Sequence, residues 1–383
     1  MSSRLIVNSI RHTGATGDAV TLANDGTCTA NITNRTNRNL VVNGACLVSQ
    51  RATSSTTSGY STVDRFKTSH TGTNEAPTQA QVNVASGTTP YTLGFRKALK
   101  ITNGNQTGGA NSGDMITYAY RIEARDMNNS GWNYTSTSSY LTLSFWIKSS
   151  VAQSFGCFIR THDGTQMTFP FETGSLSADT WTKITKTIPG HASLSFDYDT
   201  NCGLEIIIGG FWGTDYTTSD KTLDAWSAYS NDARLRDNTS TWFTTNDATL
   251  ELTGLQVEVS DHATDFEHRS FAMERRLCQR YYQKYTNPKL RGVRGSNNND
   301  CHRMGMTLLV EMRADPTLSW SGTQQVYDGN ATPSITGISG GYPDPANVEF
   351  DATLSGTFTN GAGSAVCAYS AGNEGTLMLS AEI

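Results

Sequence analysis

The sequence predicts a mainly β protein: a jelly-roll β-sandwich, one short connecting α-helix and a smaller C-terminal β domain. Three observations point there. Charged residues make up 16% of the chain and hydrophobic ones 36%, the balance being largely Ser, Thr, Asn and Gly, which suits short strands joined by polar turns. Apolar and polar residues alternate with a period of two in segment after segment. Only one stretch consists mainly of good helix formers.

Taken in order, residues 1–38 hold short strand pieces, Leu5-Ile6-Val7 and Ala19 to Leu22, with Asn24-Asp25-Gly26 as a hairpin turn. This segment is too small to bury much apolar surface alone, so it needs a neighbour, and Asn31 to Asn39 reads as its linker. Residues 39–265 read as the sandwich. Leu141, Leu143, Phe145 and Ile147 fall on one face of a strand, and further strands follow at Trp181 to Ile188, Leu204 to Gly209 and Leu250 to Val259. Gly254 in the last of these suggests a bulge. Polar loops between strands, with no intervening helices, imply a sandwich or jelly roll and exclude a parallel sheet.

The helix is expected within residues 266–287, over Ser270 to Tyr285, with Ser270 as N-cap and Pro288 just beyond the end. Phe271, Cys278 and Tyr285 recur every seven residues and Leu277 to Tyr281 is a four-residue step, giving one apolar-aromatic stripe suited to a strut or a subunit contact. At about four turns it cannot hold an oligomer together unaided. Residues 288–383 return to strands at Met304 to Val310, Val348 to Phe350 and Thr376 to Ile383, the last expected to be packed.

Several functions are disfavoured. The net charge is −5 and no long basic run exists, so a nucleic-acid footprint is absent; the most basic stretch, Arg275 to Arg294, reads as a solvated helix face with a following loop. The seven cysteines are scattered with no CxxC pair, which argues against disulfides and zinc and for core thiols folded in a reducing cytoplasm. The N-terminus lacks a signal-peptide core, and no apolar run of about 18 residues exists to insert in a bilayer. A protein of this kind, if it works outside a cell, would leave by a route other than secretion, of which lysis is one.

Five groups of residues, weak singly, are specific in this order. Asn39-Leu-Val-Val-Asn-Gly-Ala45 with Ser49-Gln-Arg51 and Asp64-Arg-Phe66 opens the series, and Ser144 to Ser149 with Trp181, Ile184, Thr187 and Ile188 forms its middle. Ala263 to Ser270 with Leu277 to Gln283 closes the sandwich; Val310 to Thr317 and Leu379 to Ile383 follow. Together they resemble tail-fibre and appendage proteins of tailed bacteriophages, in which a carbohydrate-binding-module-like jelly roll precedes a β tip. The resemblance covers residues 39–383 and implies a homotrimeric fibre on the virion exterior, touching a host-surface glycan. It carries no catalytic motif. Residues 1–38 lie outside it and suit attachment to other tail or capsid proteins. A capsid fibre or decoration protein without receptor role, and a glycan-depolymerase tailspike, are the alternatives.

No GxSxG, HExxH, P-loop or GxGxxG pattern is present. A glycosidase needs two facing acids, for which Asp197, Asp199, Asp215, Asp220 and Asp224 are the candidates. Acids in loops are usually solvated or ligate Ca²⁺; no metal or cofactor is expected, and a loop-bound Ca²⁺ has no support. For glycan binding, loop aromatics are the candidates, because the apolar C–H faces of sugars stack on rings: Trp132, Tyr134, Trp212, Tyr216, Trp226 and Tyr229, with Asp215 to accept from hydroxyls. The competing reading has these rings lidding the sandwich or packing against a neighbouring subunit. Trp146, Trp181 and Trp242, in strand-like runs, are expected in the core.

Overall fold

The structure is a computed structural model and describes residues 7–14, 16–30, 37–295, 299–327, 332–339, 341, 343–357, 365–369 and 375–383. Ten main strands form the sandwich and are numbered within it: β1 Phe66–Thr71, β2 Thr78–Asn83, β3 Lys97–Thr102, β4 Met115–Glu123, β5 Tyr140–Ser149, β6 Gly156–Thr161, β7 Met167–Glu172, β8 Thr182–Pro189, β9 Cys202–Trp212 and β10 Thr249–Val259. One sheet runs β7-β6-β9-β4-β1 with the two-residue strand Ser227–Ala228 outside β7. The other runs β8-β5-β10-β3-β2 with Ser54–Ser55 outside β2. Every pairing between these strands is antiparallel, and the chain passes repeatedly from one sheet to the other, as a jelly roll does.

Alternation builds the core. Leu141, Leu143, Phe145 and Ile147 of β5 face Leu204, Ile206 and Ile208 of β9, Tyr118, Tyr120 and Ile122 of β4 and Phe169 and Phe171 of β7, all buried in one cluster. Gly254 has φ +67 and sits at the register shift between Thr253 and Gln256, so the predicted bulge is present. Any Cβ there would meet the Phe95 ring at 2.7 Å, which reserves the position for glycine.

The helix is shorter than the sequence pattern suggests, spanning Phe271–Gln279. Ser270 caps it, accepting from the Met273 N–H at 3.3 Å. The heptad-like stripe does not form: Phe271 is 56% exposed, Glu274 and Cys278 make up the buried face, and Tyr285 lies on the strand Tyr282–Thr286. Pairing of that strand with Thr376–Ser380 overrides its helical propensity, and aromatic and β-branched residues accept it readily. Tyr281 is buried between helix and strand.

Beyond the helix, Tyr282–Thr286, Thr376–Ser380 and Thr317–Ser321 form a three-stranded sheet. A six-stranded sheet, containing Asp300–Thr307 and Asn347–Leu354, packs with it around Leu290, Met304, Val348, Phe350, Leu377 and Leu379. At the other end, Val20–Leu22 and Cys28–Ala30 pair as the hairpin expected from Asp25-Gly26. None of the described side chains between residues 7 and 28 is buried. Leu5, Ile6 and most of the linker reading at Asn31 to Asn39 lie outside the described residues. Cys46, Cys157, Cys202, Cys278 and Cys301 are buried, as expected of core cysteines, whereas Cys28 is exposed.

The sandwich, the helix and the terminal β unit meet at a buried ionic junction. Arg65, 1% exposed and at φ +74, pairs with Glu382 and lies 3.4 Å over the Tyr281 ring. Burial alone would drive this guanidinium toward neutrality, but the Glu382 charge holds it protonated, well above its ordinary range. Glu123 accepts from Nε and Nη2 of Arg280 at 2.9 Å each and from the Tyr281 hydroxyl at 2.6 Å. Glu274 accepts from the Asn43 N–H at 2.6 Å, while Arg313 donates to the carbonyls of Ala381, Glu382 and Thr200. Of these junction residues, Asn43, Arg65, Arg280, Tyr281, Arg313 and Glu382 lie within the five sequence groups singled out above, and Glu123 and Glu274 lie outside them.

Removing one partner of a buried pair leaves an uncompensated charge. Glu382→Ala should lower unfolding stability in urea by about 3–5 kcal/mol. Lys186→Ala, which removes the Lys186–Asp224 surface pair, should change it by less than about 1 kcal/mol.

Candidate functional site

Since alternate residues point to opposite faces, the strands that fill the core also build an outer surface. On β1, β4, β6 and β9 that surface carries Lys67, Ser69, Thr117, Ala119, Arg121, Phe158, Arg160, Glu205 and Ile207. A register shift between Gly209 and Phe211 changes the phase of β9, so Phe211 packs inward and Trp212 turns outward opposite Met115. The Trp212 indole lies against the Gly209 backbone, where a Cβ would stand 1.9 Å from its Nε1. The segment after β9 then folds over part of this face, burying Leu235 with Phe158, Ile207 and Trp212.

What remains uncovered is a groove of about 190 Å³. Ala119, Phe158, Ile207 and Trp212 lie nearly buried at its base, and its mainly polar surface carries Lys67, Arg121, Arg160 and Arg234 against a single carboxylate, Glu205. Arg121 donates to Glu205 at 2.7 Å and to the Ile383 carbonyl at 2.8 Å, and His162 contacts the other Glu205 oxygen at 3.1 Å. Burial would raise the Glu205 carboxyl, but His162 and Arg121 outweigh it and hold the pKa at about 2. Arg160 stacks 3.7 Å over the Tyr229 ring and donates to Gln166 at 2.6 Å. Arg234 lies 4.6 Å over Tyr216 and donates to the Asn231 side chain at 2.6 Å. Nε1 of Trp212 and Nε of Arg160 are buried without an acceptor among the described residues.

Of the aromatic candidates, Trp212, Tyr216 and Tyr229 come together here, and Trp212 and Tyr229 line the groove. Trp212, although only 3% exposed, is a strand-end residue of the floor. Asp215 is exposed on the neighbouring turn, outside the lining. Trp132, also 3% exposed, packs into the core cluster against Phe196, its indole donating to the Ser139 carbonyl at 3.2 Å. Tyr134 meets Phe196 edge-on, and Trp226 leans on Phe169 while donating to the Pro189 carbonyl at 2.7 Å. These three rings therefore cover the ends of the sandwich. Trp242 is fully buried as expected, but on a short helix; Trp146 and Trp181 are only half-buried.

Trp146 lines a second groove of about 250 Å³ on the outer face of the other sheet, with Phe95, Lys183, Asp265, Phe266 and His268. Each groove lining thus holds one carboxylate. Asp197 and Asp199 lie instead near Asp163, whose carboxyl is raised first by burial and then by their charges, and none of the three lines either groove. Asp220 is an exposed carboxylate held low by the Thr218 hydroxyl, and Asp224 pairs with Lys186. Among the described residues no group of three His, Cys, Asp or Glu could hold a metal. No described helix is long and apolar enough to cross a membrane. The sequence reading missed Lys67, Arg121, Arg160 and Arg234; the available signal was the outward phase of strands whose inward phase was already recognised.

No family model and no curated protein matches the chain. Among solved structures it is similar to the enzymatically active domain of bacteriophage CBA120 tailspike protein 4, at 11% identity and TM-score 0.32, over 58% of this chain and 22% of that one. A putative sugar-binding protein from Bacteroides thetaiotaomicron matches at 11% identity and TM-score 0.29, over 58% and 100%. The N-terminal cellulose-binding domain of Cellulomonas fimi β-1,4-glucanase C matches at 12% identity and TM-score 0.27, over 56% and 98%.

Two outcomes follow from the site. Glu205 is depressed in the fold, so its contribution to stability is full above about pH 4.5 and is lost as pH falls toward 2. The melting temperature of the wild type should exceed that of Glu205→Gln at neutral pH, by a stability gap of at most about 3 kcal/mol, and the two should converge in acid. Trp132→Ala should cost about 3–5 kcal/mol in denaturant unfolding, as a buried ring does, without changing ligand binding where the variant is folded.

Proposed function

We propose that this chain is a non-enzymatic, homotrimeric appendage on the exterior of a tailed-phage virion, binding a host-surface glycan in the groove beside Trp212. The observation that carries this reading is the groove itself. Ala119, Phe158, Ile207 and Trp212 form its nearly buried base, the half-buried Tyr229 ring offers apolar surface to a pyranose, and its rim supplies guanidinium, ammonium and amide donors for sugar oxygens. The jelly roll and the convergence of the resembling residues on one junction agree with it. Weak binding at one groove suffices where three copies act together. Attachment to tail or capsid proteins is assigned to the N-terminal segment, whose described side chains are all left unburied.

Glycan cleavage is the less favoured reading, because hydrolysis takes two facing acids and the groove lining has Glu205 alone, already engaged by Arg121 and His162.

A glycan array with the purified chain tests the assignment. Thr117→Trp, which fills the groove, and Tyr229→Ala, which removes the ring under Arg160, should each reduce binding at least about tenfold. Trp226→Ala should leave it unchanged. Binding that survives Thr117→Trp and Tyr229→Ala would refute the site. Light scattering should give a trimer at micromolar concentration; a monomer would refute the assembly.

A further inference from the structure

Resting on that assignment of the groove, we infer that its ligand is an acidic saccharide, one bearing carboxylate, phosphate or sulfate groups. The chain as a whole carries a net charge of −5, yet the groove lining holds Lys67, Arg121, Arg160 and Arg234 against Glu205 alone. The Arg121–Glu205 pair, at 2.7 Å, neutralises one cation of the four. Among the described residues the other three make no direct hydrogen bond or ion pair with a carboxylate, although Lys67 feels the Glu205 charge at longer range. Arg160 and Arg234 make their hydrogen bonds to the neutral oxygens of Gln166 and Asn231. Lys67 has neither a hydrogen bond nor an ion pair among the described residues; burial and then the Arg121 charge lower its pKa against the opposing pull of Glu205, and an anion bound beside it would favour its charged form. The acids on the covering segment, Asp215, Asp220, Asp224, Asp232 and Asp237, all lie outside the lining; Asp224 pairs with Lys186 and Asp237 accepts from the Thr217 hydroxyl.

The arrangement matches the chemistry of a charged sugar. The two guanidinium groups already rest over Tyr229 and Tyr216 and are hydrogen-bonded to Gln166 and Asn231, so less rotamer freedom remains to be lost when an anion arrives. Guanidinium–carboxylate and guanidinium–phosphate contacts are charge-assisted and roughly twice as strong as the neutral hydrogen bonds available to an uncharged sugar. Three like charges around one groove also raise the local concentration of a polyanion, an effect that fades as salt screens it.

The test compares two polysaccharides of one backbone: polygalacturonate and its fully methyl-esterified form, which has the same ring and linkage without the charge, alongside an array of acidic and neutral bacterial surface glycans. Binding should be confined to acidic members, should weaken at least about tenfold between roughly 50 and 500 mM salt, and should fall by a similar factor in Lys67→Ala and in Arg234→Ala, and further in Arg234→Glu. Because Lys67 and Arg234 are only partly buried, their replacement leaves the core intact, and circular dichroism checks this. Binding to neutral glycans that Arg234→Glu leaves intact but Thr117→Trp abolishes would overturn the acidic-ligand inference while sparing the groove. Acidic-glycan binding that Thr117→Trp leaves intact would overturn the groove and this inference with it, as would an array on which no glycan binds.

Discussion

The packing of charge at one buried junction, Arg65 with Glu382 and Glu123 with Arg280, is the constraint on which the arrangement of the chain depends. Each ion taken out of water there costs several kcal/mol, recovered only where geometry and hydrogen bonding are good. The junction meets that demand with a bidentate Arg280–Glu123 contact, a Tyr281 hydroxyl on the same carboxylate, and a guanidinium stacked on an aromatic ring. An apolar patch of equal size would accept several docking angles. Paired charges at fixed distances accept few, so the contact sets how the helix and the terminal β unit sit on the sandwich. Arg65 reaches its place from a left-handed backbone conformation, which a bulky residue adopts only where its surroundings hold it.

The same contact extends into the groove. Arg121 gives one nitrogen to Glu205, on the outer face of the sandwich, and another to the carbonyl of Ile383, beyond the last strand of the terminal unit. One edge of the groove is therefore set by the docked terminal segment as well as by the sheet. Across the groove, Trp212 owes its position to the Gly209-Gly210 bulge, which reverses the inward and outward phases within a single strand. Backbone irregularity and long-range charge pairing, rather than any single motif, shape the surface.

Much of the fold was legible because sandwich strands announce themselves. The alternation of Leu141, Leu143, Phe145 and Ile147 has one solution when a face must be buried, and Gly254 marks a bulge because any side chain there meets Phe95. Cap chemistry likewise placed the start of the helix at Ser270. Its end was not legible, since Tyr281 to Tyr285 suits a helix or a strand and the choice rests with Thr376–Ser380, about a hundred residues away. The tryptophans show the same limit: Trp132 in polar sequence is buried, while Trp146 in an apolar strand borders a surface groove. Local polarity records the neighbours in sequence, whereas burial depends on what the fold brings alongside.

The sequence by itself therefore determined the β class, the sandwich strands, the single capped helix and the order of the parts, because these follow from side-chain period and turn chemistry acting over a few residues. Only the tertiary structure decided which aromatic rings meet solvent, that Lys67, Arg121, Arg160 and Arg234 share one groove, and that Glu382 completes the charge of Arg65. Those relations join residues far apart in the chain, and each depends on the register and phase of strands that no local pattern specifies.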